Sequence, residues 1–267
     1  MKRKAKISLF VLTVVVIVAC LIAAVVMRRT AIVDGLSINI EYGTCDTLVT
    51  VPDLENSLLS AFPGIMSLPV GDIHVKDIAN ELSKNPYVQS ARASVSVGGR
   101  IVVNVVQRRP IVRVFYDGVE FYADELGHCF PPSQYGNANV VVANGDFQQR
   151  LAGDIRNLDL SKLASDSIRC GYDIVNVWLM AKYLDSHYDD IGILFDQIYV
   201  LSNGDIVLQP NMTSHEVIIG SAENLDRKFQ NLRLFYAKGL SHAGYASYSR
   251  VNLKFEGQVV CTKTNNK

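Results

Sequence analysis

The 267-residue chain has no Cys-x-x-Cys pair, no His-Glu-x-x-His and no His-x-His, so the common frames of a zinc or metalloprotease site are missing. Its five histidines (His74, His128, His187, His215, His242) are scattered, and His128 beside Cys129 lacks neighbouring ligands. Ser221, in Gly220-Ser221-Ala222-Glu223, has no second glycine to form a nucleophile elbow. Gly98-Gly99 opens no helix and is therefore no phosphate loop. The acidic pairs Asp53/Glu55 and Asp189-Asp190 fall at expected helix ends, where they complement the dipole or are solvated. No catalytic residue, cofactor or metal is expected. With only eight prolines, no low-complexity linker and no internal repeat, the chain reads as continuously folded and strand-rich.

Charge is missing altogether from residues 7–27, a run of 21 residues long enough to cross a hydrocarbon core of about 30 Å. Lys2, Arg3, Lys4 and Lys6 precede the run and only Arg28 and Arg29 follow it, which predicts a cytoplasmic tail at 1–6 and export of the rest. The run is longer than a signal-peptide core and ends in Val25-Val26-Met27-Arg28, with no small-x-small cleavage site. Ile17-Val18-Ala19-Cys20 is similar to a lipobox, but residues 21–27 stay membrane-like where a mature lipoprotein turns polar. Six of the 26 basic residues lie at or before Arg29, leaving 20 against 26 acidic ones beyond it. That balance is a poor match for a nucleic-acid or anionic-lipid binder, which would need a basic face. Cys45, Cys129, Cys170 and Cys261 lie outside the run and permit two disulfides, with three pairings open.

Past the run, residues 36–42 read as a strand with Leu36, Ile38 and Ile40 on one face. Pro52 suits a first helical position, and Leu54, Leu58 and Phe62 recur until Pro63-Gly64. Val75, Ile78, Ala79 and Leu82 form the stripe of a second helix that ends at Asn85-Pro86. From residue 90 to 97 serines and Arg92 alternate with Ala91, Ala93, Val95 and Val97, so one sheet face is buried. Gly98-Gly99 predicts a two-residue hairpin turn with positive φ at both positions, and residues 100–107 return. Turns are expected at Asp117-Gly118 and at 124–127. A helix follows over 171–187 with Val175, Leu179, Tyr183 and Leu184 near one face, then a hairpin around Asn203-Gly204-Asp205. A short strand over 217–220 precedes a helix lined by Leu225, Phe229, Leu232, Leu234, Phe235 and Tyr236. One last strand is expected over 250–262, with Val251, Leu253 and Phe255 opposite Asn252, Lys254 and Glu256 until Gly257 breaks the register.

The order strand-helix-helix-strand-strand, with Asn85-Pro86-Tyr87-Val88 leading to a hairpin that leaves through Arg108-Arg109-Pro110, resembles the POTRA domain of the bacterial division proteins FtsQ and DivIB. Gln107 stands where that family usually has glutamate. Residues 121–130 are similar to the family's aromatic strand and Asp-x-x-Gly turn, and Gly220, Leu225, Lys228 and Leu232 fit its Gly-x(4)-Leu-x-x-Lys-x(3)-Leu pattern. The resemblance implies an α+β protein: tail 1–6, transmembrane helix 7–27, POTRA domain 36–110, FtsQ-type β domain 111–262 with a C-terminal helix and edge strand, and tail 263–267. It also implies a non-enzymatic scaffold in the bacterial inner membrane at the septum. Its partners would be FtsB/FtsL-type divisome proteins, bound at Leu253, Lys254, Phe255, Gly257 and Val259, with other division contacts through POTRA. Rival readings are a POTRA-containing envelope-biogenesis or secretion factor, which would carry tandem POTRA domains or a barrel, and a lipid-anchored exported binding protein.

Overall fold

The computed structural model describes residues 2–151, 154, 158–240 and 247–264. The chain separates into two compact units, Met1–Gly43 with Val49–Arg108, and Thr44–Leu48 with Arg109–Lys267. The architecture is α+β, with an apolar N-terminal helix and a mixed, strand-rich sheet domain that ends in strands.

In the first unit the uncharged run lies in helix α1 (Lys2–Thr30), within which Leu12–Thr30 is long and apolar enough to cross a membrane. Strand β1 (Gly35–Glu41) then pairs in parallel with β3 (Arg100–Gln107), and β2 (Val88–Val95) pairs antiparallel on the other side of β3. Ile101, Val103 and Val105 of the central strand are buried beneath α2 (Val51–Ala61) and α3 (Val75–Leu82), which contribute Leu54, Leu58, Ile78 and Leu82. The opposite sheet face is wet, and there Asn39 donates to Asn104 across the β1–β3 pair. Helix α2 begins one residue before Pro52, because Thr50 takes the cap and Asp53 accepts from both its backbone N–H and its hydroxyl. The hairpin differs from the expected two-residue turn. The Ser96 N–H donates to the Arg100 carbonyl and the Gly99 N–H to the Ser96 carbonyl, a wider loop in which Gly99 takes positive φ (86°) and Gly98 does not. Val97 rides on this loop at 86 % exposure instead of joining the buried face.

Among its described residues the second unit builds a nine-stranded sheet in the order β12-β11-β10-β9-β8-β7-β4-β5-β6. These strands are β4 (Pro110–Tyr116), β5 (Val119–Asp124), β6 (Cys129–Phe130), β7 (Val141–Gly145), β8 (Phe195–Val200), β9 (Ile206–Pro210), β10 (Glu216–Gly220), β11 (Tyr248–Asn252) and β12 (Val260–Lys263). Three pairs are parallel: β4–β7, joined through β5 and β6, and β7–β8 and β10–β11, whose crossovers are supplied by α4 (Leu160–Ser165) with α5 (Asp173–Ser186) and by α6 (Leu225–Leu234). Helix α5 is the central helix of the core. It buries Ile174, Val175, Val177, Trp178, Met180, Ala181 and Leu184, so it is apolar over most of its circumference and not along the single stripe expected. On α6, Leu225, Phe229 and Leu232 pack inward, while Leu234 is exposed, contrary to expectation, before a π-helical turn over Phe235–Leu240. Cys20, Cys45, Cys129, Cys170 and Cys261 are free, and burial pushes the Cys129 and Cys261 thiols up in pKa.

The last strand is the largest difference. Residues 250–262 are not one strand but a hairpin, with β11 and β12 antiparallel and a reversal between them. The expected tail residues 265–267 lie outside the described residues, as does His242.

Candidate functional site

Several of the chemically suggestive residues have structural partners. Asp124 is buried and accepts from the N–H groups of Leu126 and His128, closing the turn in which Gly127 has φ 91°. His215 is buried with its Nε2 against the Tyr236 hydroxyl at 2.9 Å, and burial lowers its pKa. His187 stacks on Tyr183, and Asp190 pairs with Arg233 at 2.5 Å. The Ser221 carbonyl accepts from Lys228, whose pKa burial lowers. Among the described residues no group of three or more His, Cys, Asp or Glu is placed to hold a metal.

The two arginines that leave the β2–β3 hairpin do different work. Arg108 donates to the carbonyls of Pro86 and Val88, tying the segment before β2 to the end of β3 within the first unit. Arg109 belongs to the second unit and forms a two-pronged pair with Asp185, both contacts at 2.7 Å, with Glu125 at 3.6 Å. The Asp185 carboxylate raises the Arg109 pKa further, so the guanidinium stays charged.

The free surface of the second unit lies at the end of its sheet. β12 pairs with β11 on one side, and among the described residues no strand lies on its other side. An edge of this kind presents N–H and C=O groups to whatever approaches. The reversal leading into it is tightly held. The Leu253 N–H donates to the Ile218 carbonyl and its side chain is buried at 3 % exposure, so Leu253 supports the site from within and offers no surface. Lys254 reaches Asp205 at 2.6 Å, its stem lying over Gly220, where an added Cβ would meet Lys254 Cγ at 2.9 Å. Glu256 pairs with Arg227. The Gln258 N–H donates to the Phe255 carbonyl, and Gly257 takes φ 70° at the third position of this turn, the residue that such a turn asks for. Phe255 is the exception: with its neighbours anchored, it stands 52 % exposed in the connection that leads into β12. Val259 returns to pack partly against the core. The sequence pattern placed Phe255 on one face with Leu253 in a single strand and missed Val260–Lys263 as a separate outer strand. Gly257, read as a register break, was the signal of a reversal.

A family model described as "FtsQ/DivIB, C-terminal related" matches residues 109–262, more than half of the chain. The chain belongs to the FtsQ/DivIB family. The match starts at Arg109, where the second unit resumes, and ends inside β12. No curated protein matches the chain. The FtsQ/DivIB motifs acquire physical reasons here. Gly220 has φ 75° and lies under the Lys254 stem, Leu225 and Leu232 face the core, and Lys228 closes α6 back onto the Ser221 carbonyl. The chain thus joins membership of a cell-division family to an N-terminal helix long and apolar enough to cross a membrane.

Proposed function

We propose that the chain is a non-enzymatic divisome scaffold. Its N-terminus stays in the cytoplasm, both units are exported, and β12 takes up a strand from an FtsB/FtsL-type partner and so couples that pair to septal peptidoglycan synthesis. The observation that carries this reading is the outward edge of β12 with Phe255 exposed at its approach. Strand addition supplies backbone hydrogen bonds, and an exposed aromatic in the connection leading to the edge supplies the apolar anchor that such interfaces concentrate their energy in. Lys254 is already engaged by Asp205, so an acidic group on the partner shares it instead of meeting a free charge. Leu253, Gly257 and Val259 act by shaping the turn. The membrane anchor confines the scaffold and its anchored partners to one surface, which raises their effective concentration.

The first unit has the strand order β1-β3-β2 with two helices over one face, and we assign it as a POTRA domain available for further division contacts. Co-purification of the full chain in detergent with candidate FtsB/FtsL-type partners tests the proposal. Phe255→Glu is expected to weaken capture by about tenfold or more, the equivalent of about 1.4 kcal/mol. Met212→Glu, at a residue 82 % exposed elsewhere on the unit, is expected to leave it unchanged. Equal capture by wild type and Phe255→Glu contradicts the assignment of this edge.

A further inference from the structure

Four residues join the transmembrane helix to β1, and three of them, Ala31, Val33 and Asp34, are hydrogen-bonded to the first unit. The Ala31 carbonyl accepts from Val70, Ile32 bridges Pro69, and the N–H groups of Val33 and Asp34 donate to the carbonyls of Leu68 and Gly99. Gly71 lies directly against the helix end, where an added Cβ would stand 3.0 Å from the Arg29 carbonyl oxygen. This junction has no slack, and α1 belongs to the same compact unit as the sheet. The unit is therefore held at a fixed height above the bilayer.

That height follows from the helix. Arg28 and Arg29 end the uncharged run, so the hydrocarbon boundary lies near Met27, and at 1.5 Å per residue Arg29 sits about 3 Å beyond it. The headgroup layer is about 5–7 Å deep on each side. Segments packed on Arg29 and Ala31 accordingly lie within it. These segments carry apolar side chains that the fold leaves uncovered: Ile32 (65 % exposed), Met66 and Leu68, and also Val97, on the loop whose Gly99 lies beside the Ile32 carbonyl. Arg28 and Arg29 end the helix at this junction, and Arg100 lies near Asp34 at 3.7 Å. An apolar patch continuous with a membrane span matches the apolar side of the interface.

We infer that the base of the first unit is a second membrane-contact surface, in which Ile32, Leu68 and Val97 sit in the headgroup–acyl boundary of the lipid bilayer. The unit stands on the membrane and is not tethered loosely above it, which fixes the direction in which this unit faces. This inference rests on the membrane-anchor reading. Its test separates the two by brominated-lipid quenching of tryptophan in the full chain reconstituted into vesicles. The wild type gives the baseline, since its one tryptophan, Trp178, is buried in the second unit. Val18→Trp reports the span, Val97→Trp the proposed surface, and Met212→Trp a distant exposed position. Val97→Trp is expected to lose most of its added emission to lipid brominated near the headgroup, while Met212→Trp loses none. Quenching of Val18→Trp without quenching of Val97→Trp overturns the inference and leaves the anchor standing. Absence of quenching at Val18→Trp overturns both.

Discussion

Gly145→Ala is expected to destabilise the second unit by about 3–5 kcal/mol, the sum of backbone strain and an overpacked contact that nothing nearby can relieve. Gly145 ends β7 with φ 130°, a conformation that L residues rarely adopt. A Cβ there would meet the Val200 carbonyl oxygen at 2.2 Å and the Val200 nitrogen at 2.6 Å. Neither strand can yield. Gly145 pairs with Val200 in the parallel β7–β8 ladder, and the same carbonyl accepts from the Asp146 N–H at 2.8 Å. For a unit of this size the loss corresponds to a fall of about 10 °C in the melting temperature, read by circular dichroism of the full chain. A variant that melts within about 2 °C of wild type contradicts the packing described for the middle of the sheet.

Asp124→Ala is the second large effect, at about 2–4 kcal/mol, because it strands groups that the carboxylate now satisfies. The Asp124 side chain accepts from Leu126 at 3.0 Å and His128 at 2.8 Å, both to Oδ1, and it does so while buried. Its carbonyl accepts from the Trp178 indole at 2.9 Å, so the turn also fixes α5 on the sheet. Asp124→Asn keeps an acceptor at the same point and is expected to cost about 1 kcal/mol, the difference between a charged and a neutral hydrogen bond. Urea unfolding curves that rank alanine well below asparagine, with a red-shifted Trp178 emission in the alanine variant, support this role. Equal stability of the two variants contradicts it.

Where the sequence was legible, a local period carried the information. The alternation over β2 and β3 gave the first sheet its buried face, and the stripe Ile78 with Leu82 gave α3 its inner one. Asp117-Gly118 and Asn203-Gly204-Asp205 marked real reversals because their chemistry is that of the turn itself, Asp117 and Gly118 both taking positive φ. The failures are non-local. Val251, Leu253 and Phe255 keep a period of two, but β11 ends at Asn252 and the chain reverses, so parity no longer puts Phe255 on one face with Leu253. Helix α5 looked striped because its neighbours could not be seen. A crossover helix pressed between the sheet and the rest of the core buries positions that a surface helix exposes. The candidate site depends most on what local pattern omits, since whether β12 is open is a property of strand order across residues 110–263.

The proposed scaffold role rests on that open edge, and amide hydrogen exchange over Val260–Lys263, measured on the full chain with and without an FtsB/FtsL-type partner, addresses it directly. If β12 receives the partner's strand, these amides are expected to slow by about tenfold or more on binding while exchange in central β8 stays the same. Binding of the partner with exchange at Val260–Lys263 unchanged contradicts the account.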